Sequence, residues 1–321
     1  MNYEKLKTYW YPLFFLKELK DKPIKKTLLG VPLVFVRLNE QVCSFEDRCP
    51  HRQVPLSDGA CVDNKLQCSY HGWCFNNEGG LDSIPSSKDL PKGAKLNKVG
   101  VSIDGQLVWV RLEGNRSFEP IEISNNFSNK MMIKTLEADF IHSIENFLDP
   151  THTTFIHKGL LRSSGPQKMQ IRQESELNGF TTFYHLENRQ NGWINKLFDP
   201  GIDENIASFE MPGMAKIIYR KEKKVYFEVG VFFVPINKGT VQMVTSVNVL
   251  KGKIPSAIKF LLLRPFLELA FYQDKKILQS QYKNSNKASY IMSENDLVID
   301  HLLYLLEDKV KGVNKEMLLE L

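Results

Sequence analysis

The sequence predicts an α+β protein in two parts: an all-β unit over residues 1–120, then a unit over 121–321 in which helices flank an antiparallel sheet. Three observations predict it. Short apolar runs punctuated by turn residues fill residues 9–113. An Asn-, Ser- and Glu-rich stretch with Gly114 and Pro120 follows at 114–130 and makes the natural boundary. Beyond it, longer strand patterns end in two helical ones, 255–283 and 294–308.

In the first part, Gly30–Arg37 reads as a strand after a turn, Gln41–Phe45 as a second, and Leu107–Arg111 as a buried closing strand. Ser57-Asp58-Gly59 and Asn77-Glu78-Gly79-Gly80 are turn chemistry. Several short strands at this spacing predict a small sandwich. In the second part, residues 131–142 read as a strand leading into a helix. Strands are expected at Met169–Arg172, Phe180–His185, Ala215–Arg220, Val225–Val234 and Val241–Val249, with a turn at Met211-Pro212-Gly213. Pro265 should kink or divide the helix over 255–283, because it lacks an amide donor and crowds the preceding turn.

Composition narrows the function classes. The 321 residues are 42% hydrophobic and 25% charged, enough for a sizeable core. The net charge of +5 is a small excess spread along the chain, with only short clusters such as Lys25-Lys26 and Lys221 to Lys224. These read as solvated surface, with an acidic protein partner as the alternative. No basic stripe is interleaved with aromatics as nucleic-acid binding would need. The most apolar run, Ile258–Tyr272, is interrupted by Lys259, Arg264 and Glu268 and is too short and charged to span a bilayer. Met1–Thr8 lacks the pattern of a signal peptide. The five cysteines are an odd set confined to the first quarter of the chain, unlike a secreted disulfide framework. A reduced, cytoplasmic location is expected. Cys43, Cys61 and Cys74 read as structural thiols.

The other two cysteines stand in CPHRQVPLSDGACVDNKLQCSYHGW, residues 49–73. Cys49 is followed by His51 and Cys68 by His71, with sixteen residues between the pairs. Two Cys/His pairs make a four-ligand metal site. A zinc-stapled loop is one reading, although zinc sites more often set one pair as Cys-Cys and the other as His-His. One thiolate and one imidazole in each half suits a two-iron cluster, with both cysteines on one iron and both histidines on the other.

A second constellation lies in ENFLDPTHTTFIH, residues 145–157, as Asn146-x2-Asp149-x2-His152-x4-His157. Two histidines beside a carboxylate are candidates for a mononuclear metal. Their spacing is poor for a regular helix, where residues three and four apart share a face. Pro150 accounts for this, because it disfavours helical geometry at Asp149. A facial triad of two histidines and one carboxylate needs one more ligand. Asp274, emerging from an apolar helical run, is the best candidate. Glu268 is the runner-up, and Asp149 alternatively just turns the chain before Pro150.

The ordered set C-x-H, C-x2-H, N-x2-D-x2-H-x4-H and Asp274-x6-Gln281 closely resembles the oxygenase (alpha) component of the Rieske non-haem iron oxygenases, and the resemblance covers nearly the whole chain. It implies a [2Fe-2S] domain held by Cys49, His51, Cys68 and His71, then a helix-grip catalytic domain with Fe(II) held by His152, His157 and Asp274. By the same resemblance Asp149 bridges to a cluster histidine of a neighbouring subunit in a homotrimer, and Asn146 is a nearby polar position. Gln273 departs from the pattern, since many relatives carry an acidic residue there. The implied activity is hydroxylation, demethylation or desaturation of a small organic substrate with O2. Electrons would come from a separate NAD(P)H-dependent reductase, directly or through a ferredoxin, since no Gly-x-Gly-x-x-Gly follows a strand. The length is closer to the alpha-only demethylases, monooxygenases and hydroxylases. A Rieske electron carrier without oxygenase activity is the rival reading. Phe183, Trp193, Phe198, Phe209, Met211 and Phe232 are candidates for the substrate pocket or for core.

Overall fold

The computed structural model describes residues 3–85, 87–120, 126–158, 168–186, 202–252, 254–285, 291–293, 296, 298–307 and 316–320. The chain divides into two compact units. One holds Tyr3–Ile121 with Pro235–Lys238; the other holds Glu122–Val234 and Gly239–Leu321.

The first unit opens with a single helical turn, α1 (Tyr3–Leu6). Its described strands are β1 (Tyr11–Phe15), β2 (Ile24–Leu28), β3 (Val31–Leu38), β4 (Gln41–Glu46), β5 (Ala60–Val62), β6 (Lys65–Gln67), β7 (Cys74–Phe75), β8 (Leu81–Ser83), β9 (Gly100–Asp104) and β10 (Leu107–Arg111). They form three small sheets, in the orders β1-β10-β9, β2-β3-β4 and β5-β6-β7-β8. The continuous apolar run Leu33–Val36 follows from the place of β3. It is the central strand of its sheet, and all four residues are fully buried. Two-residue turns set the hairpin registers. Leu29-Gly30, Asn39-Glu40 and Asp63-Asn64 each have positive φ at both positions. That geometry matches the right-handed twist of the flanking strands.

In the second unit, β11 (Phe127–Glu137) leads into α2 (Phe140–Leu148) and the short α3 (Thr153–Ile156). Then come β12 (Lys168–Ser175), β13 (Gly179–Leu186), β14 (Glu204–Glu210), β15 (Met214–Lys221), β16 (Lys224–Asn237) and β17 (Thr240–Leu250). The chain ends with α4 (Ser256–Asn284), α5 (Ile299–Glu307) and β18 (Glu316–Glu320). One eight-stranded sheet runs β11-β17-β16-β15-β14-β13-β12-β18. Helix α4 packs on β11, where Leu136, Ala138 and Leu278 form a buried cluster with Met243 and Phe271 against it. Helix α2 packs on β15, β17 and α5.

Three expectations change. Pro265 does not divide α4, which runs unbroken through it. The proline takes the helical donor from the carbonyl of Leu261, but that residue is 71% exposed and water can serve instead. Strands β14 and β18 are too short and irregular in pattern for their periodicity to announce them, and pairing with β13, β15 and β12 forms them. The strand expected from residue 131 begins at Phe127 and stops at Glu137, where Asp139 caps α2 by accepting from the amides of Ile141 and His142.

Candidate metal centres

The two Cys/His pairs sit on different kinds of turn. Only one of them is a hairpin loop. Cys68 and His71 occupy the loop of the β6–β7 hairpin. Cys49 and His51 lie in the β4–β5 connection, which joins two sheets. Buried Asp47 holds that connection: its carboxylate accepts from the Ser57 amide and hydroxyl, each at 2.7 Å. Each pair rests on a closed turn. The Cys49 amide donates to the Val54 carbonyl and the Cys68 amide to the Trp73 carbonyl, both at 2.9 Å. Gly72 closes the second turn with φ +69, and a Cβ there would lie 2.8 Å from Pro85, so a side chain is excluded.

These ligands converge as two like pairs. Cys49 and Cys68, 1% and 3% exposed, sit together in the apolar cluster of β3, β4, β6 and β7. Burial, then contact with Cys68, pushes the Cys49 thiol up to about 11. Such a thiol becomes a thiolate when a metal takes its proton's place. The His51 and His71 rings face each other edge-on with centroids 4.7 Å apart, and His71 is exposed. Trp73 stacks flat on His51 at 4.4 Å, and Tyr70 leans on His71 at 3.8 Å. Two buried sulfurs and two outer nitrogens are donors for two metals joined in a cluster, more than for one tetrahedral ion.

The second centre begins where α2 ends. Asp149 leaves the helix with φ −76 and ψ 121, the extended backbone that a following proline favours. Its carboxylate then caps the next turn, accepting from the Thr151 amide at 2.9 Å, the Thr151 hydroxyl at 2.7 Å and the His152 amide at 3.3 Å. Asp149 therefore does turn the chain, as one reading held. It also reaches to 3.5 Å from His152 Nδ1. Burial raises the Asp149 carboxyl, but the His152 ring and Thr151 outweigh burial and hold it below the ordinary aspartate value.

His152, His157 and Asp274 come together. One ligand atom from each lies within 4.8 Å of the others. Asp274 Oδ1 is 3.0 Å from His157 Nε2 and 3.7 Å from His152 Nε2, yet it is buried and accepts no hydrogen bond of proper geometry. Two imidazole nitrogens around an unpartnered buried carboxylate oxygen fit a cation ligated by all three. Burial lowers the His157 pKa, but Asp274 and then Gln273 reverse the sign and leave it above the ordinary histidine value.

Glu268 does not join this group: it pairs with Lys134 across α4 and β11. Asn146 lies on the last turn of α2, half-buried, outside the three-ligand group. Among the pocket candidates, Phe209, Met211 and Phe232 are buried, whereas the Phe183 ring takes the Arg172 guanidinium at 4.2 Å. Trp193 and Phe198 lie outside the described residues. Sequence reasoning missed Thr151 as the anchor of Asp149, though Asp-Pro-Thr is turn chemistry that could have raised it. It also missed Gln273 as a partner of His157, for which no local signal exists.

Known proteins fit this layout. The profile of the Rieske [2Fe-2S] domain matches residues 9–94, and that of the vanillate O-demethylase oxygenase C-terminal domain matches residues 136–304, just over half of the chain. Methylxanthine N3-demethylase NdmB of Pseudomonas putida is 32% identical over 174 residues, 49% of this chain and 49% of that protein. Protein TIC 55 of Pisum sativum, chloroplastic, is 30% identical over 215 residues, 63% of this chain and 38% of that protein. The chain thus spans half the length or less of these curated relatives. Dicamba monooxygenase bound to dicamba superposes with a TM-score of 0.80 at 17% identity, covering 94% of this chain and 97% of that one. Pseudomonas putida CBB5 NdmB superposes with a TM-score of 0.76 at 21% identity, covering 94% and 90%. At these identities the structural likeness is one of fold.

Proposed function

We propose a reaction for this chain from one premise: it belongs to the Rieske non-haem iron oxygenases, as an oxygenase component. It uses O2 and electrons from a separate NAD(P)H-dependent reductase, directly or through a ferredoxin, to hydroxylate, demethylate or desaturate a small organic substrate. Demethylation is the variant that the name of the bacterial relative supports. The observation that carries the reading is the His152–His157–Asp274 group, present in the same chain as the paired Cys/His turns. A pure electron carrier has no use for a second, three-ligand centre.

In this reading residues 1–120 form the cluster domain and residues 121–321 the helix-grip catalytic domain. Cys49 and Cys68 hold one iron of a [2Fe-2S] cluster, and His51 and His71 hold the other. His152, His157 and Asp274 hold Fe(II). When bound, the cluster supplies one-electron transfer and the mononuclear iron supplies O2 activation. Trp73 keeps the His51 ring in place and shields it from solvent. Thr151 fixes the Asp149 carboxylate, which aims the His152 ring by taking its Nδ1 side. Asn146 supports this corner from α2. Three subunits close head to tail, so that Asp149 also accepts a hydrogen bond from the partner subunit's His71 and links the two centres. No described helix is long and apolar enough to cross a membrane. A reducing cytoplasm suits an oxidation-sensitive cluster.

Metal analysis combined with turnover tests this. About three irons per chain are expected, two from the cluster and one mononuclear. With a surrogate reductase, a panel of N- and O-methylated aromatic compounds should give substrate-dependent O2 uptake and formaldehyde. Iron content of about two per chain, without uptake on any substrate, would return the carrier reading.

A further inference from the structure

A histidine can bind a metal through one ring nitrogen only if the other is satisfied elsewhere. His157 is 2% exposed, so its partners must come from protein. Its Nε2 faces Asp274, and its Nδ1 lies 2.9 Å from Oε1 of Gln273. Gln273 and Asp274 are successive residues of α4, and the single ring spans both side chains. An amide oxygen can only accept, so Nδ1 carries the hydrogen and Nε2 keeps its lone pair toward the centre.

The two histidines of the group are backed differently. Behind His152 stands a carboxylate, Asp149, at 3.5 Å; behind His157 stands a neutral amide. The carboxylates that meet these two rings are Asp149 and Asp274. A carboxylate at position 273 would add a third negative charge beside these rings.

Resting on the metal reading above, we infer that Gln273 is a positioning residue of the mononuclear centre: it holds His157 as the Nδ1–H tautomer with a neutral acceptor. Replacing the amide by a carboxylate preserves the aim but changes the charge. Replacing it by an apolar side chain removes the aim.

The test uses the full chain with its cluster in place, the mononuclear metal stripped, and Co(II) titrated against a chromophoric chelator. Unchanged cluster EPR is the control for folding. Gln273→Leu should weaken Co(II) about 10- to 100-fold. Gln273→Glu, which still accepts, should keep the affinity. After reloading with iron, Gln273→Glu should also lower the potential of the mononuclear iron, read by redox titration of its high-spin ferric EPR signal. Wild-type Co(II) affinity in Gln273→Leu, or an unshifted potential in Gln273→Glu, would overturn the inference while His157→Ala still loses metal. Wild-type affinity in His157→Ala would instead overturn the metal reading itself.

Discussion

The Cys/His turns and the His/His/Asp group gather their ligands in opposite ways. In the first, all four ligands lie between Cys49 and His71, and each pair rides on a turn closed by its own backbone hydrogen bond. In the second, the histidines follow α2 while the carboxylate sits midway along α4, and the contact between His157 and Gln273 spans 116 positions in sequence. A locally closed turn needs little from the rest of the chain, because its loop entropy is small. A group assembled across a sheet depends on the seating of every element beneath it. The first centre should therefore survive changes in the second unit, whereas the second centre should respond to packing as well as to its ligands.

Removing a ligand is the strongest test of that contrast. Cys68→Ala should abolish the EPR signal of the reduced cluster. His157→Ala or Asp274→Ala should remove the mononuclear iron and all turnover while that signal stays. Loss of both metals in any of these variants would break the comparison, as metal analysis on the same samples would reveal.

A packing change should come next. Leu278 is 5% exposed and lies one helical turn beyond Asp274, against Leu136 and Ala138. Leu278→Ala should cost about 2–5 kcal/mol of stability in the second unit, seen by urea unfolding, and should lower mononuclear iron occupancy without touching the cluster signal. Equal losses at both centres would show that the two units are not independent in this respect.

Asp149→Ala probes how the centres are joined. It should keep both metals and the trimer but slow electron transfer from the reduced cluster by about 100-fold, measured by stopped-flow single turnover and analytical ultracentrifugation. Full turnover in this variant, or a fully active monomer, would sink the proposed assembly. The smallest effect belongs to Thr151→Val, which removes the hydroxyl that holds Asp149 at 2.7 Å. The loss should be about 1 kcal/mol, with a correspondingly mild slowing of the same electron-transfer step and no loss of metal.

Legibility in the sequence tracks the same contrast. The β-rich first unit and the strong strands β15, β16 and β17 were readable, because apolar periodicity is a local property. So were the pairs Cys49/His51, Cys68/His71 and His152/His157 as local groups, since each falls within a few residues. Strands β14 and β18 were not readable, because their short, irregular patterns become strands only by pairing with neighbours. Pro265 does not divide α4, because the carbonyl it leaves without a helical donor is exposed to water.

By itself the sequence determined the two-part α+β layout, the pairing of Cys49 with His51 and of Cys68 with His71, and the placement of two histidines after a helix broken at Pro150. Short-range turn chemistry and side-chain type suffice for these. Only the tertiary structure decided between Asp274 and Glu268 as the carboxylate that meets those histidines. It also put Gln273 behind His157. The reason is geometric. Glu268 and Asp274 lie six residues apart on one helix and so point about 120° apart, and the seating of α4 on β11 brings Glu268 to Lys134 and Asp274 to the two histidines. No local pattern in the chain encodes which face of α4 meets which neighbour.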